Sequence, residues 1–332
     1  MPERIKKLII TVEPDRVGFE KLSPSSDLFI NGWQILVNPK KNLEADFWIV
    51  YGNARSHDIY HLSKENTLLV VLEPESKKVY PKEYYKQFQR VIDTHKKSGH
   101  PRILKDAPCF PWHVGLDMRS NSYRCGYTEL KALPYPKKIL NQVSVICSSA
   151  AHTSGQRDRL AFLRELKIYL GENLVHFGRG FRPLDDKMDG IYGYRFHLCM
   201  ENCSVANYCT EKLIDSYLGW SFPLYWGCVN VDELFPPKSL IKIDIGDPVK
   251  SAQVVKDILN SPISGSEEQL LDTARKSALE ERNPFVYLTK IASRYHNLNV
   301  AKKMTTIRSH KAYRSGLGGL VYQIKSSLFS SD

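Results

Sequence analysis

A chain of 332 residues, 42% hydrophobic and 25% charged, is long enough for two domains with separate cores and is neither disordered nor fibrous in composition. The short apolar run inside MPERIKKLIITVEPD falls far below the roughly 18 residues that cross a bilayer and lacks a small-residue cleavage site, so neither anchor nor secretory signal is expected. Seven cysteines without a C-x-x-C pair argue for reduced thiols in a cytoplasm rather than a disulfide framework or a zinc site, and the formal charge of +11 asks for an anionic partner.

In chain order, residues 6–12, 48–51 and 67–72 read as buried strands, because they are short apolar runs bounded by turn residues. A helix is expected over 82–89 and a strand at 91–93, which makes the first part an α/β layered domain. Glu73 and Glu75 follow the third strand directly. A carboxylate at the carboxyl edge of a strand is placed as a general base should be. Residues 101–136 are rich in Pro, Gly and aromatics and read as the end of the first domain and the linker, with the crossing near 133–138. His113, beside Trp112, is a candidate for lining an acceptor cleft.

The second domain opens with a strand at 143–147 and an amphipathic helix at 160–169, preceded by Arg157 and Arg159. An arginine there offers a planar fork for two phosphate oxygens. A strand over 173–177 leads into Gly178-Arg179-Gly180, and 195–200 alternates polar and apolar residues as a strand with one buried face does. Thr210, Glu211 and Lys212 then mark a helix start: a hydroxyl cap, an acid in the first turn, and an apolar stripe at Leu213, Ile214, Tyr217 and Leu218. Helix N-termini at the carboxyl ends of parallel strands bind anions. A phosphate is therefore expected near Thr210 and Lys212, with Asn202 and Glu211 available to sugar or ribose hydroxyls. Strands and helices continue through 239–244, 251–259 and 266–281.

No Asp or Glu occurs between Glu281 and Asp332, whereas Arg282, Lys290, Arg294, Lys302, Lys303, Arg308, Lys311, Arg314 and Lys325 do. This basic C-terminus reads equally well as a peripheral contact with an anionic membrane or as a solvated helix face and tail. No nucleic-acid motif accompanies the charge.

The segment Tyr194-Arg195-Phe196, Glu201-Asn202, Tyr208-Cys209-Thr210-Glu211-Lys212, Pro223-Leu224-Tyr225-Trp226-Gly227 and Pro237-Lys238-Ser239 resembles the donor signature of the α-1,3/4-fucosyltransferases of glycosyltransferase family 10, especially the soluble bacterial members. The resemblance implies an α/β GT-B fold, two Rossmann-like domains facing across a cleft, and inverting transfer of L-fucose from GDP-fucose to a glycan or glycolipid. It divides the chain into an acceptor domain (1–136), a GDP-sugar domain (137–284), and a helix returning to the first domain with a basic tail (285–332). It implies Glu73 as base, with Glu75 as second choice, and a donor set of Arg159 (Arg157 as second choice), Lys187, Asn202, Tyr208, Thr210, Glu211 and Lys212. Animal members carry an N-terminal Golgi anchor. This chain departs from them, which points to a cytoplasmic bacterial or viral enzyme acting in surface polysaccharide or lipopolysaccharide synthesis, with a peripheral position on the inner face of the membrane as one option. No Asp-x-Asp triplet is present, so no metal or other cofactor is expected; Asp185-Asp186 reads as a loop pair. Two other readings stay open: the same fold with another GDP-sugar, or a non-catalytic basic protein that binds glycans or membranes.

Overall fold

The computed structural model describes residues 4–95 and 98–313, so Arg314 and Lys325 of the basic tail lie outside the described residues. The chain forms two compact units, residues 1–108 with 284–332, and residues 109–283. Each is α/β and each is built on a mostly parallel sheet. Among the described residues no helix is long and apolar enough to cross a membrane.

The first unit begins with β1 (Lys6–Val12), β2 (Phe29–Ile30), β3 (Trp33–Val37), β4 (Phe47–Tyr51), β5 (His57–Leu62) and β6 (Thr67–Val70). A short helix α1 (Lys82–Tyr85) precedes β7 (Arg90–Ile92) and β8 (Ile103–Leu104). The sheet order is β2-β3-β1-β4-β6-β7-β8, parallel except for the β2–β3 pair. Leu8, Ile9 and Ile10, Trp48 to Val50, and Leu68 to Val70 are fully buried, as unbroken apolar strands covered on both faces must be.

The second unit opens with a two-stranded ribbon, β9 (Leu116–Asp117) and β10 (Ser122–Tyr123), and helix α2 (Tyr127–Ala132). The unit boundary thus falls at Pro108, not at residue 136. Two buried or half-buried carboxylates account for this. Asp215 accepts the backbone N–H groups of His113 (2.7 Å) and Val114 (3.2 Å), and Asp186 accepts that of Gly115 (2.9 Å), so the proline-rich stretch is bound to the second unit. Then follow β11 (Leu140–Ile146), α3 (Ser154–Leu170), β12 (Leu174–Phe177), β13 (Tyr194–Met200), α4 (Glu211–Leu218), β14 (Phe222–Trp226) and β15 (Ile241–Lys242). Helices α5 (Pro248–Asn260) and α6 (Gly265–Lys276) close the unit, the latter ending in a π-turn over Ser277–Glu281. The sheet order is β12-β11-β13-β14-β15, all parallel.

From Pro284 the chain rejoins the first unit through α7 (Pro284–Tyr295) and β16 (Lys303–Arg308). Phe285 of α7 stacks obliquely on Phe19 with centroids 5.3 Å apart, and Ser293 accepts the indole N–H of Trp33 (2.8 Å). β16 pairs antiparallel with β5 along six residues. All seven cysteines are free thiols.

Candidate active site

The site grows out of β13 and the loop that joins it to α4. β13 is buried from Arg195 onward, and the first residue beyond it, Glu201, is a fully buried carboxylate. Burying a charge is costly unless it is paired and hydrogen-bonded. Glu201 meets that condition: the N–H of Thr210 donates to Oε1 (2.7 Å), the Thr210 hydroxyl to Oε2 (2.7 Å), and Lys212 Nζ approaches Oε2 at 3.3 Å. The Thr210 hydroxyl oxygen in turn accepts from the Lys212 ammonium (2.9 Å) and the Lys212 backbone N–H (3.5 Å), which caps α4. Gly227 is needed beside it. A Cβ there would lie 2.4 Å from Glu201 Cγ, at a φ of +150°.

A small recess opens at the carboxyl ends of β11 and β13, lined by Cys147, Arg159, Lys187, His197, Met200, Lys212 and Asp215 among others. Three cations from three separate stretches therefore meet there. Arg159, buried in the second turn of α3, donates to the carbonyls of Gly155 (3.2 Å) and Met200 (3.3 Å) and, among the described residues, forms no ion pair. Lys187 is held by Asp215 (2.9 Å) and Glu211 (3.3 Å), and Lys212 by Glu201 and Glu211 (3.5 Å). Burial opposes the charge on both lysines, but these carboxylates outweigh it and hold both pKa values above the ordinary range. Burial likewise opposes ionised Glu211, yet Lys212, Lys187 and His113 keep it well below the usual carboxylate range. His197 behaves differently. Burial, with Lys187 nearby, lowers its pKa to about 3, so it is a neutral ring whose Nδ1 bonds the Ser144 hydroxyl (2.8 Å).

Of the residues expected to bind the donor, the recess gathers Arg159, Lys187 and Lys212. Glu211 anchors two of them and takes His113 Nδ1 at 3.7 Å. Thr210 turns its polar groups toward Glu201 and Lys212, so it positions the others. Asn202 is half-buried just past β13, and Tyr208 is buried with its ring edge-on to Phe110 at 6.1 Å. Arg157 points elsewhere: it is exposed and donates to the carbonyls of Ala151 and His152. His113, the candidate for lining an acceptor cleft, lies in the second unit with Nδ1 3.7 Å from Glu211, its backbone N–H held by Asp215. Asp186 caps the 3-10 turn Lys187–Gly190 through the Met188 N–H (2.9 Å), and Asp185 pairs with Arg119 (2.5 Å).

The first unit carries the two other candidates. Glu73 follows β6, half-buried, paired with Lys77 (2.7 Å), its carbonyl accepting from His95 Nε2 (2.6 Å). Glu75, two residues on, is also half-buried.

Sequence reasoning missed Glu201, Asp215 and His197 as working parts. Glu201 had a signal, an acid directly after an apolar strand and nine residues before a capping threonine. Asp215 had none, since its partners lie 28 and about 100 residues away. A second groove lies on the other side of the loop after β11, lined by Ser149, Leu160, Leu163, His176 and Phe181 with Arg164 and Lys167. The rings of His176 and Phe181 stack there at 3.7 Å.

Residues 139–261 match the family model described as glycosyltransferase family 10 (fucosyltransferase), C-terminal part. An α-(1,3)-fucosyltransferase, FucT, of Helicobacter pylori is 40% identical over 58 residues, 18% of this chain and 12% of that protein. An α-(1,4)-fucosyltransferase of Arabidopsis thaliana is 37% identical over 75 residues, 22% of this chain and 19% of that protein. The matched segments are thus a small part of either relative. A crystal structure of an α1,3-fucosyltransferase with GDP aligns with 86% of this chain and 94% of its own, at 18% identity and a TM-score of 0.47.

Proposed function

Because residues 139–261 match the model of glycosyltransferase family 10, we propose that this chain belongs to that family and transfers L-fucose from GDP-fucose to a glycan hydroxyl, with inversion at the anomeric carbon. The observation that carries this reading is the meeting of Arg159, Lys187 and Lys212 in one recess at the carboxyl edge of a parallel sheet. Arg159 has no carboxylate partner among the described residues, so its charge is the one left for a diphosphate. Lys187 and Lys212 remain cationic at neutral pH and supply the rest. Together they stabilise the charge that builds on the β-phosphate as the glycosidic bond breaks. GDP leaves as a stable anion and needs no proton, so one base suffices.

We assign that base to Glu73, which accepts the proton of the attacking hydroxyl, with Glu75 as the second choice. Glu73→Gln is expected to leave GDP binding intact and lower turnover by roughly 10²–10⁴-fold. Normal turnover in that variant moves the role to Glu75. The guanine is assigned to the groove beside the stacked His176 and Phe181, a few residues from the phosphate recess along the same loop. The reading is of a metal-independent enzyme, because the sequence carries no Asp-x-Asp triplet; activity that collapses in EDTA and returns only with a divalent cation contradicts it.

The acceptor is taken to be a glycan or glycolipid of a bacterial surface polysaccharide or lipopolysaccharide, fucosylated in α-1,3 or a related linkage in the cytoplasm. A panel of GDP-sugars read by release of GDP, followed by GDP-fucose with defined oligosaccharides, tests donor and acceptor in turn. Turnover with another GDP-sugar and none with GDP-fucose keeps the fold and replaces the sugar. Absence of saturable GDP binding favours the non-catalytic basic protein.

A further inference from the structure

We propose that the open face of the β5–β16 ribbon in the first unit docks the protein on an anionic membrane surface. Alternation along these two strands separates their faces. Tyr60, Leu62, Thr305 and Ile307 point into the unit, while Ile59, Met304, Thr306 and Arg308 are turned outward. An open groove lies over this outer face. Its charged rim comes from three places in the sequence: Lys64 after β5, Glu83 and Lys86 around α1, and Lys303 and Arg308 on β16. Four full positive charges thus face one carboxylate. None of the four cations forms an ion pair among the described residues, and the Lys64 ammonium spends its hydrogen bond on the Lys86 carbonyl (2.9 Å). Lys302, one residue before β16, shows what a structural lysine looks like here, being paired with Asp46 (2.6 Å) and Glu44 (3.0 Å).

The same surplus is felt by His57, which also lines the groove. Burial first, then Lys41 and Arg308, hold its pKa below the ordinary value against the opposing pull of Asp58. The centre of the face selects the kind of anion. Met304 is 49% exposed and Ile59 lies opposite Thr306 in the register, so apolar side chains stand between the cations. A soluble polyanion has no use for them. A bilayer interface does, since apolar groups enter beneath the headgroups while lysines and arginines stay level with the phosphates. The basic stretch of the sequence supplies only half of this surface. Lys64 and Lys86 come from more than 200 residues earlier and are brought there by the β5–β16 pairing.

The test is co-sedimentation of the full chain with phosphatidylcholine vesicles, with and without added phosphatidylglycerol. Three proteins are compared: the unaltered chain, a ribbon variant carrying Lys64→Glu, Lys86→Glu, Lys303→Glu and Arg308→Glu, and a tail variant carrying Arg314→Glu and Lys325→Glu. The unaltered chain is expected to bind only the anionic vesicles and to be released by salt. The ribbon variant should lose roughly tenfold or more of that binding, and the tail variant should keep most of it. The calorimetric transition of the first unit serves as the folding control for the ribbon variant, and GDP titration separates this proposal from the assignment of the nucleotide site. Unchanged vesicle binding in a ribbon variant that keeps this transition overturns the proposal. So does loss confined to the tail variant, equal binding to neutral vesicles, or binding to a soluble polyanion such as heparin with none to vesicles. Should the fourfold variant fail to fold, Lys303→Glu with Met304→Asp, both on exposed positions, is read in the same way.

Discussion

At the scale of single residues, Lys212 does two things that depend on each other: it neutralises buried Glu201, and it presents an ammonium to the recess. Glu201→Gln removes the charge while keeping the shape, and leaves the donors of Thr210 and Lys212 around it only half matched. A loss of about 1–3 kcal/mol in denaturant unfolding is expected. His197 gives the recess a pH signature. Its folded pKa of about 3 lies below the ordinary histidine value, so its contribution to stability is present above that ordinary value and is lost as pH falls toward the folded one. Between pH ~6.5 and ~3 the unfolded chain binds the extra proton, and stability should drop by about 1.4 kcal/mol per pH unit from this group alone. His197→Gln should flatten the dependence of melting temperature on pH across that window; an unchanged slope would assign the titration to other histidines. Glu211 acts lower: the stability its depressed pKa gives is complete above the ordinary glutamate value and is lost progressively as pH falls below that value toward the folded one.

At the scale of elements, the unit β13–loop–α4 was the most legible part of the chain. Period-two alternation into a polar loop, then Thr210-Glu211-Lys212 before an apolar stripe, is local information, and the structure has the strand at Tyr194–Met200 and the helix at Glu211–Leu218. The same holds for β1, β4 and β11, whose apolar runs are long enough to read alone. Helix α3 starts at Ser154, six residues before the expected start, because Thr153 and Gln156 form a capping box that extends the helix upstream of its apolar stripe. That extension brings Gly155 against the loop: a Cβ there would sit 2.1 Å from the Asn202 carbonyl oxygen. Gly155→Ala must push the first turn of α3 away from the end of β13, and Arg159 with it. GDP affinity should fall in this variant while the far-ultraviolet spectrum is preserved. The β5–β16 ribbon went unread for the opposite reason. HDIYHL and KMTTIR are polar and short, and each finds its partner some 240 residues away, which no local pattern records.

At the scale of the whole molecule, the return of the chain after Pro284 is structural as well as connective. Ile307 of β16 is fully buried in the cluster that holds Trp48, Tyr60, Leu69 and Val91. Ile307→Ala is expected to destabilise the first unit by about 2–5 kcal/mol, seen as an earlier transition in calorimetry with GDP binding by the second unit retained at low temperature. The sequence suggested such a return but not its pairing. It also set the crossing at residue 136, since a proline-rich stretch reads as a linker when the carboxylates that bind it, Asp186 and Asp215, lie far downstream.

Isothermal titration of the purified chain with GDP bears most directly on the central claim, that Arg159, Lys187 and Lys212 form a nucleotide diphosphate site. Saturable one-to-one binding is predicted for the unaltered protein, weakened by roughly tenfold or more in Arg159→Ala and in Lys212→Ala. No saturable binding, or binding that both substitutions leave unchanged, would contradict it.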